Sequence, residues 1–263
     1  MFPPGLPPIK NRPLYSYRVF AKWFSFFFFG LATLFLVTVI FPLTCFFIRP
    51  QSKFDKFGRR FISSSMQFFI GIMRTLRIVK LEVNDREFYK NLESKIVIAN
   101  HPSLLDVVML LSLIPNADCI VNAHLTYSVV GGVIRRLYIL NSLDFDDLLK
   151  ACSESMNKGH CLIIFPEGTR TPRTGTPVIK RGAARVALDS GRNILPLHIG
   201  GTDKFGLGKK DPWAGFNPTE PYVYQISVRS EINPEKYKNI PKPVAVRLLT
   251  NDIEASLFPQ KET

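Results

Sequence analysis

The sequence predicts an α/β fold, a mixed sheet flanked by helices, with an apolar helical membrane anchor ahead of it. Three observations lead there. Beyond residue 80, short runs rich in Ile, Val and Leu alternate with stretches of helical periodicity, the pattern of a largely parallel or mixed sheet covered by helices. Composition breaks sharply near residue 80. Two short polar motifs about sixty residues apart each follow a run that reads as a buried strand, and strand ends are where α/β proteins keep their chemistry.

The anchor comes first in the chain. Its first thirteen residues are proline-rich and read as a disordered or surface tail. Residues 1–80 hold 12 Lys and Arg against one acid, Asp55, together with 16 of the 22 phenylalanines. Residues 81–263 hold 22 Lys and Arg against 20 acids. The net charge of +13 is therefore not a nucleic-acid-binding surface, and no nucleic-acid partner is expected. A basic, aromatic, apolar segment joined to a nearly neutral domain suits a bilayer with anionic lipids.

From Trp23 to Ile48 there are 26 residues without a charge, more than the roughly 20 needed to cross a ~30 Å hydrocarbon core. Lys22 and Trp23 mark one end and Arg49-Pro50 the other. Both flanks are basic, so the positive-inside rule leaves the topology open. A full span and a helix that dips in and returns around Pro42 both fit. The stretch is long for a secretory signal peptide, and no small-x-small cleavage site follows it. Phe61–Leu76, interrupted by Ser63-Ser64-Ser65 and Arg74, reads as an interfacial helix rather than a second span; the bland alternative, a buried core helix pair, is disfavoured by the length and the phenylalanine density. The chain is accordingly divided into an anchoring region, 1–80, and a catalytic domain, 81–263, a size that supports its own core.

In that domain the expected strands are Ile78–Val83, Ile96–Ala99, Cys119–Asn122, Tyr138–Leu140, Leu162–Phe165, Ile194–His198 and Tyr222–Val228. The expected helices are Pro102–Ile114, Val129–Leu137, Phe145–Asn157, Gly182–Ser190 and Pro243–Ser256. Gly159 and Gly191 fall where helix C-caps belong, and Asp203–Asn217 reads as a loop.

The first motif is Asn100-His101-Pro102-Ser103-Leu104-Leu105-Asp106, the second Phe165-Pro166-Glu167-Gly168-Thr169-Arg170. Two residues five apart on a continuous helix lie about 140° apart around its axis and would not meet. Pro102 resolves this, because the residue before a proline is pushed out of the α region and proline suits the first helical position. His101 then stands in the turn, with Asp106 one turn into the helix and able to reach back. A carboxylate on one ring nitrogen leaves the other free to accept a proton. The alternative is an unpartnered histidine, with the aspartate serving only the helix dipole. Arg170 has the fork geometry that phosphate favours; its bland alternative is a surface ion pair with Glu167. Taken together, the motifs point to acyl transfer onto a hydroxyl of a phosphorylated acceptor.

Other chemistries find little support. Cys45, Cys119, Cys152 and Cys161 lack metal or redox spacing and are expected to be reduced and buried, as in a domain facing the cytosol. His124, His160 and His198 make no ligand pair, and His198 is expected to be packed within its apolar strand. No metal site is expected. There is no G-x-S-x-G elbow, and Gly206-Leu-Gly-Lys-Lys is not a P-loop.

Over roughly residues 60–200 the chain resembles the lysophospholipid acyltransferase family, whose best-known members are the 1-acylglycerol-3-phosphate acyltransferases. Its His-x-x-x-x-Asp block matches His101 and Asp106. Its Phe-Pro-Glu-Gly-Thr-Arg block is matched throughout Phe165–Arg170, and Lys180-Arg181-Gly182-Ala183 and Leu195-Pro196 are similar to signatures further on. The resemblance implies a glycerolphosphate-acyltransferase-like fold and direct transfer without an acyl-enzyme. In it His101 deprotonates the acceptor hydroxyl, Asp106 orients the imidazole, and Glu167, Gly168, Thr169 and Arg170 bind substrate, with Arg170 on the acceptor's phosphate. No cofactor is implied; acyl-CoA or an acylated carrier protein is the co-substrate, and a lysophospholipid and the lipid membrane are the partners. The family's second block usually ends in a basic residue, where this chain has Asn141-Ser142 after Tyr138-Ile-Leu140. Asn122 stands where lysine is frequent, and Pro102 where a polar residue is commoner. Arg135 and Arg136 are candidates to supply the missing charge. The acceptor is thus expected to be lysophosphatidate or another lyso-lipid or specialised hydroxylated lipid. A non-catalytic lipid-binding subunit of the same fold is the rival class.

Overall fold

The computed structural model describes residues 6–47, 51–121, 123–127, 131–141 and 144–258. Arg49-Pro50, Asn122 and Ser142 lie outside them, as do the side chains of Cys45 and Arg136. Seven strands form one sheet: β1 (Val79–Val83), β2 (Ile96–Ala99), β3 (Ala117–Val121), β4 (Ile139–Leu140), β5 (Cys161–Ile164), β6 (Ile194–Gly201) and β7 (Tyr222–Val228). Their order is β1-β7-β6-β2-β5-β3-β4. Every neighbouring pair is parallel except β6 and β7, so the sheet is mixed, as expected.

Each central strand serves two cores. Along β2, Val97 and Ala99 join the cluster on one face while Ile96 and Ile98 join the other, and β5 divides Cys161 and Ile163 from Leu162 and Ile164 in the same way. That is why both strands read as unbroken apolar runs rather than alternating ones. The second face is covered by α7 (Phe145–Asn157), α8 (Gly182–Ser190) and α9 (Lys242–Leu257). Gly191 closes α8 at φ 64° with its N–H on Ala187 O, a left-handed cap that glycine adopts without strain.

The first face carries α5 (Asp106–Leu113) and the N-terminal helices. Helix α1 (Arg12–Phe35) passes through a π-helical turn, Leu36–Ile40, into α2 (Phe41–Phe47), and α3 (Gln51–Thr75) returns. The contacts Phe28–Phe68 and Phe29–Phe69, far from the connection, make α1 and α3 antiparallel. The reversal is therefore not at Pro42, which sits inside α2. The missing proline N–H is absorbed by the wider ring just before it, where Phe41 N–H bonds Leu36 O.

Two further expectations are corrected. Helix α3 is longer than Phe61–Leu76 and is not merely interfacial, since Phe69, Ile70 and Met73 are buried against the sheet. Lys22 does not mark a water boundary: it is fully buried. The short helix α4 (Arg86–Lys90), capped by Asp85 Oδ1 on Phe88 N at 3.1 Å, is too short for periodicity to show. Helix α6 (Gly131–Leu137) leads into β4.

A buried charge cluster fastens α3 to the sheet. Arg59 grips Asp118 with Nε at 2.8 Å and Nη2 at 3.0 Å, and the same carboxylate meets Ser155 and, at 3.5 Å, His160. Burial alone would lift the Asp118 carboxyl; bonds from His160, Arg59 and Ser155 outweigh it and hold it below the usual range. Removing one partner of a buried pair costs about 3–5 kcal/mol. Asp118→Asn is therefore expected to lower the thermal midpoint strongly at neutral pH. Because the folded-state pKa is depressed, this contribution is complete above the ordinary carboxylate range and is lost as pH falls through the folded value. Melting curves from pH 7 to pH 3 should show the difference between parent and variant closing towards the acid end. A constant difference would remove charge from the explanation.

Candidate active site

Because β2 and β5 are parallel neighbours, the segments that follow them leave the same edge of the sheet side by side. Asn100 is the first residue beyond β2 and ties that edge to β6: its Nδ2 donates to Ile199 O at 3.0 Å and its Oδ1 accepts from Ile199 N at 2.7 Å. His101 follows, its ring stacked on Phe165 from the β5 side at 4.3 Å between centroids.

His101 and Asp106 meet as expected, with Nδ1 2.8 Å from Asp106 Oδ2. The helix, however, begins at Asp106 rather than at Pro102. Side chains have captured the backbone in between: Ser103 N donates to Asp106 Oδ2 at 2.6 Å and Ser103 Oγ to Oδ1 at 2.6 Å. Such local bonds compete with helix formation. The carboxylate is fully buried and accepts three hydrogen bonds. A carboxylate at Nδ1 favours the tautomer that carries the ring proton there and leaves Nε2 free to accept one.

Sequence reasoning missed the next link. The single hydroxyl proton of Ser103 is committed to Asp106, so Tyr224 Oη, 2.7 Å away, must be the donor in its contact with Ser103 Oγ. Tyr224 is fully buried on β7, and burial raises its phenol well above the ordinary value. Lys204 Nζ lies 4.6 Å from the ring centroid and donates to Val223 O at 2.8 Å; burial lowers it to about 8. Nothing local in the sequence signals Tyr224, which is 121 residues from Ser103.

The second motif forms a turn closed by Gly168 N on Phe165 O at 2.9 Å. Gly168 has φ 64°, and a Cβ there would come within 2.7 Å of Lys180 Nζ, so the turn needs glycine. Glu167 is buried, and its Oε1 accepts from His101 N at 3.0 Å and from Thr171 Oγ1 at 2.6 Å. Thr171 also returns its N–H to His101 O at 2.7 Å. Burial raises the Glu167 carboxyl, and its Oε2 is without a partner among the described residues. Glu167 thus binds the two motifs to each other. Thr171, beyond the expected motif, shares that task.

No Glu167–Arg170 ion pair forms among the described residues. Arg170 Nη1 instead donates to Leu207 O at 2.9 Å and Gly208 O at 3.0 Å, which seats the Asp203–Asn217 loop beside the turn. Thr169 and Gly168 are exposed. Arg135 spends its guanidinium on Thr126 O and Gly131 O rather than on a free anion site. His198 is packed, with Nδ1 3.2 Å from Leu257 O. Cys119, Cys152 and Cys161 are free, buried thiols, each pushed up by burial. No cluster of metal-ligand type occurs among the described residues.

A protein-family model described as Acyltransferase matches residues 80–200. The chloroplastic 1-acyl-sn-glycerol-3-phosphate acyltransferase BAT2 of Brassica napus is 28% identical over 161 residues, covering 57% of this chain and 46% of its own. The 1-acyl-sn-glycerol-3-phosphate acyltransferase of Pseudomonas aeruginosa is 26% identical over 161 residues, covering 58% and 62%. The chain thus spans about half the length of the relatives it matches. The crystal structure of the 1-acyl-sn-glycerophosphate acyltransferase PlsC from Thermotoga maritima has the same fold, with a TM-score of 0.66 at 20% identity over 94% of this chain and 99% of that one. The matched segment begins at β1 and contains both motifs, so over residues 80–200 the chain is similar to the acyltransferase family.

Proposed function

We propose that the protein is an O-acyltransferase that moves a fatty acyl group from a thioester, acyl-CoA or acylated carrier protein, to a hydroxyl of a lysophospholipid. The acceptor that best fits is 1-acylglycerol-3-phosphate, giving phosphatidate. One observation carries the reading: a carboxylate-oriented imidazole, His101 on Asp106 at 2.8 Å, is held by Glu167 against the turn that bears Arg170. A non-catalytic subunit would have no use for an imidazole oriented through three successive buried groups, Asp106, Ser103 and Tyr224.

In the proposed reaction His101 Nε2 takes the acceptor's hydroxyl proton as that oxygen attacks the thioester carbonyl. Asp106 balances the imidazolium. The tetrahedral intermediate collapses with cleavage of the C–S bond, and the proton passes from the imidazolium to the departing sulfur. The products are an ester and a free thiol. Arg170 binds the acceptor phosphate with the part of its guanidinium not turned to the loop, and Lys180, over Gly168, adds a second positive charge.

A place for the acyl chain is at hand. An apolar cavity of about 710 Å³ lies between the N-terminal helices, α5, β3 and α6, lined in part by Phe29, Ile62, Phe69, Val107, Leu111 and Cys119. That volume falls within the roughly 300–1,000 Å³ of ordinary ligand pockets, and Val107 adjoins Asp106 in the chain.

Residues 1–80 are proposed to hold the catalytic domain 81–263 on the cytosolic face of a membrane. Arg12–Thr44 is apolar and long enough to cross one, and its exposed stripe Phe20, Phe24, Phe27, Leu31 and Phe35 recurs at helical spacing on a single face. Tyr17 Oη on Leu76 O at 3.1 Å brings both ends of the hairpin to the same side, which favours insertion and return over a crossing.

Three outcomes are expected. His101→Ala, purified and folded, should lose about 10²–10⁴-fold in turnover, and Asp106→Asn should be severely impaired too. Assay against a panel of lyso-lipids and thioesters checks this, and near-parental turnover would exclude His101 as base. Arg170→Ala is expected to raise acceptor KM at least about tenfold while thioester KM stays put, since a charge-assisted bond contributes roughly 1.5–3 kcal/mol. Arg170→Lys should recover only part, because charge survives but the fork does not. In sealed vesicles, external protease is expected to reach both the catalytic domain and a tag placed ahead of Met1; a protected tag would mean that Arg12–Thr44 crosses the bilayer.

A further inference from the structure

Lys22 is the most deeply buried charge on the N-terminal helices, with no solvent exposure, and the proposed chemistry makes no use of it. Its ammonium faces three backbone carbonyls of a single loop: Gly215 O at 2.5 Å, Trp213 O at 2.6 Å and Gly206 O at 3.4 Å. These satisfy all three of its donors.

The far side of the same loop reaches the catalytic motifs. Leu207 O accepts from Leu104 N at 3.0 Å, inside the His101–Asp106 segment, and Leu207 O and Gly208 O accept from Arg170 Nη1. Between these contacts the loop is tied to itself. Asp211 Oδ2 accepts from Gly206 N and Gly208 N, both at 2.9 Å, and Arg173 grips the Asp211 carboxylate in turn. Gly206, at φ 92°, cannot carry a Cβ, which would lie 1.9 Å from Gly215 O and 2.9 Å from Lys22 Nζ. Trp213 repeats the connection in aromatic form, 5.7 Å from Trp23 and edge-on to Phe26 at 6.3 Å.

We propose that Lys22 is a positioning residue for acceptor recognition: through the loop Gly206–Gly215 it fixes where Arg170 presents its guanidinium, and so couples helix α1 to the acceptor site. This rests on the reading of Arg170 as the phosphate-binding residue. A lysine here supplies three donors from one compact, strongly directed charge, which a water-filled gap between helix and loop could not do with the same rigidity. The histidine side of the site meets the loop through Leu104 N, but Glu167 and Ser103 hold it as well, so loss of the latch should fall on acceptor use and leave thioester use intact.

The test is initial-rate kinetics on the full chain in lipid vesicles, with acceptor and thioester varied separately, for parent, Lys22→Met and Arg170→Ala. Methionine keeps the length and apolar stem of lysine and removes the donors. Lys22→Met is expected to raise acceptor KM about tenfold with thioester KM unchanged. If Arg170→Ala raises acceptor KM and a folded Lys22→Met does not, the coupling is refuted while the role of Arg170 stands. If neither variant shifts acceptor KM, the reading of Arg170 falls and the proposal with it. Equal loss against both substrates would mark Lys22 as purely structural and overturn the proposal. Should Lys22→Met not fold, Trp213→Ala removes the aromatic half of the clamp from an exposed position; it is expected to raise acceptor KM about threefold and leave thioester KM alone, and an unchanged acceptor KM would refute the coupling.

Discussion

The parallel ladder between β2 and β5 is the constraint from which the site follows. Parallel strands leave the sheet in the same direction, so residues almost seventy positions apart emerge on one edge about a strand spacing from each other. Within that separation a single carboxylate can hold both segments. Glu167 does so by accepting from the backbone N–H of His101, and Thr171 closes the return with its own N–H. The buried, half-satisfied carboxylate this requires is costly in an apolar setting. It persists because the alternative is two loops with no fixed relation.

On that frame the imidazole is oriented by a chain of buried groups rather than by one aspartate. Asp106 takes three bonds, Ser103 supplies two of them, and Tyr224 fixes the Ser103 hydroxyl. Each member removes a rotational freedom from the next, so the geometry is set by the fold itself. Tyr224 reaches the site because β7 is the antiparallel neighbour of β6, which is itself the neighbour of β2.

The N-terminal helices are part of this frame. Helix α3 buries Phe69, Ile70 and Met73 against the sheet and is pinned through Arg59 to Asp118. Helix α1 offers one narrow buried face, Ala21, Lys22 and Ser25, to the protein, and its aromatic face to the surroundings. Helices held this way are tied to the sheet and its loops through defined polar contacts. An exposed apolar patch of this extent is otherwise rare on a soluble protein.

Much of this was legible in the chain. Apolar runs buried on both faces identify β2 and β5 because such strands need hydrophobic residues at every position, and all seven expected strands are present. His101 and Asp106 meet because a proline-bent turn and a five-residue separation are local matters, and Gly159 and Gly191, at φ 88° and 64°, reveal themselves by the backbone conformations only glycine adopts freely. Partnerships formed across the sheet were not legible. Whether Glu167 pairs with Arg170 or with a backbone amide from another strand, whether Lys22 meets water or three carbonyls nearly two hundred residues away, and which hydroxyl steadies Ser103 all depend on strand order. Local sequence sets which conformations each segment prefers, since steric and hydrogen-bonding preferences act over a few residues. Which segments become neighbours is decided by the burial of both sheet faces at once, and that belongs to the tertiary structure alone.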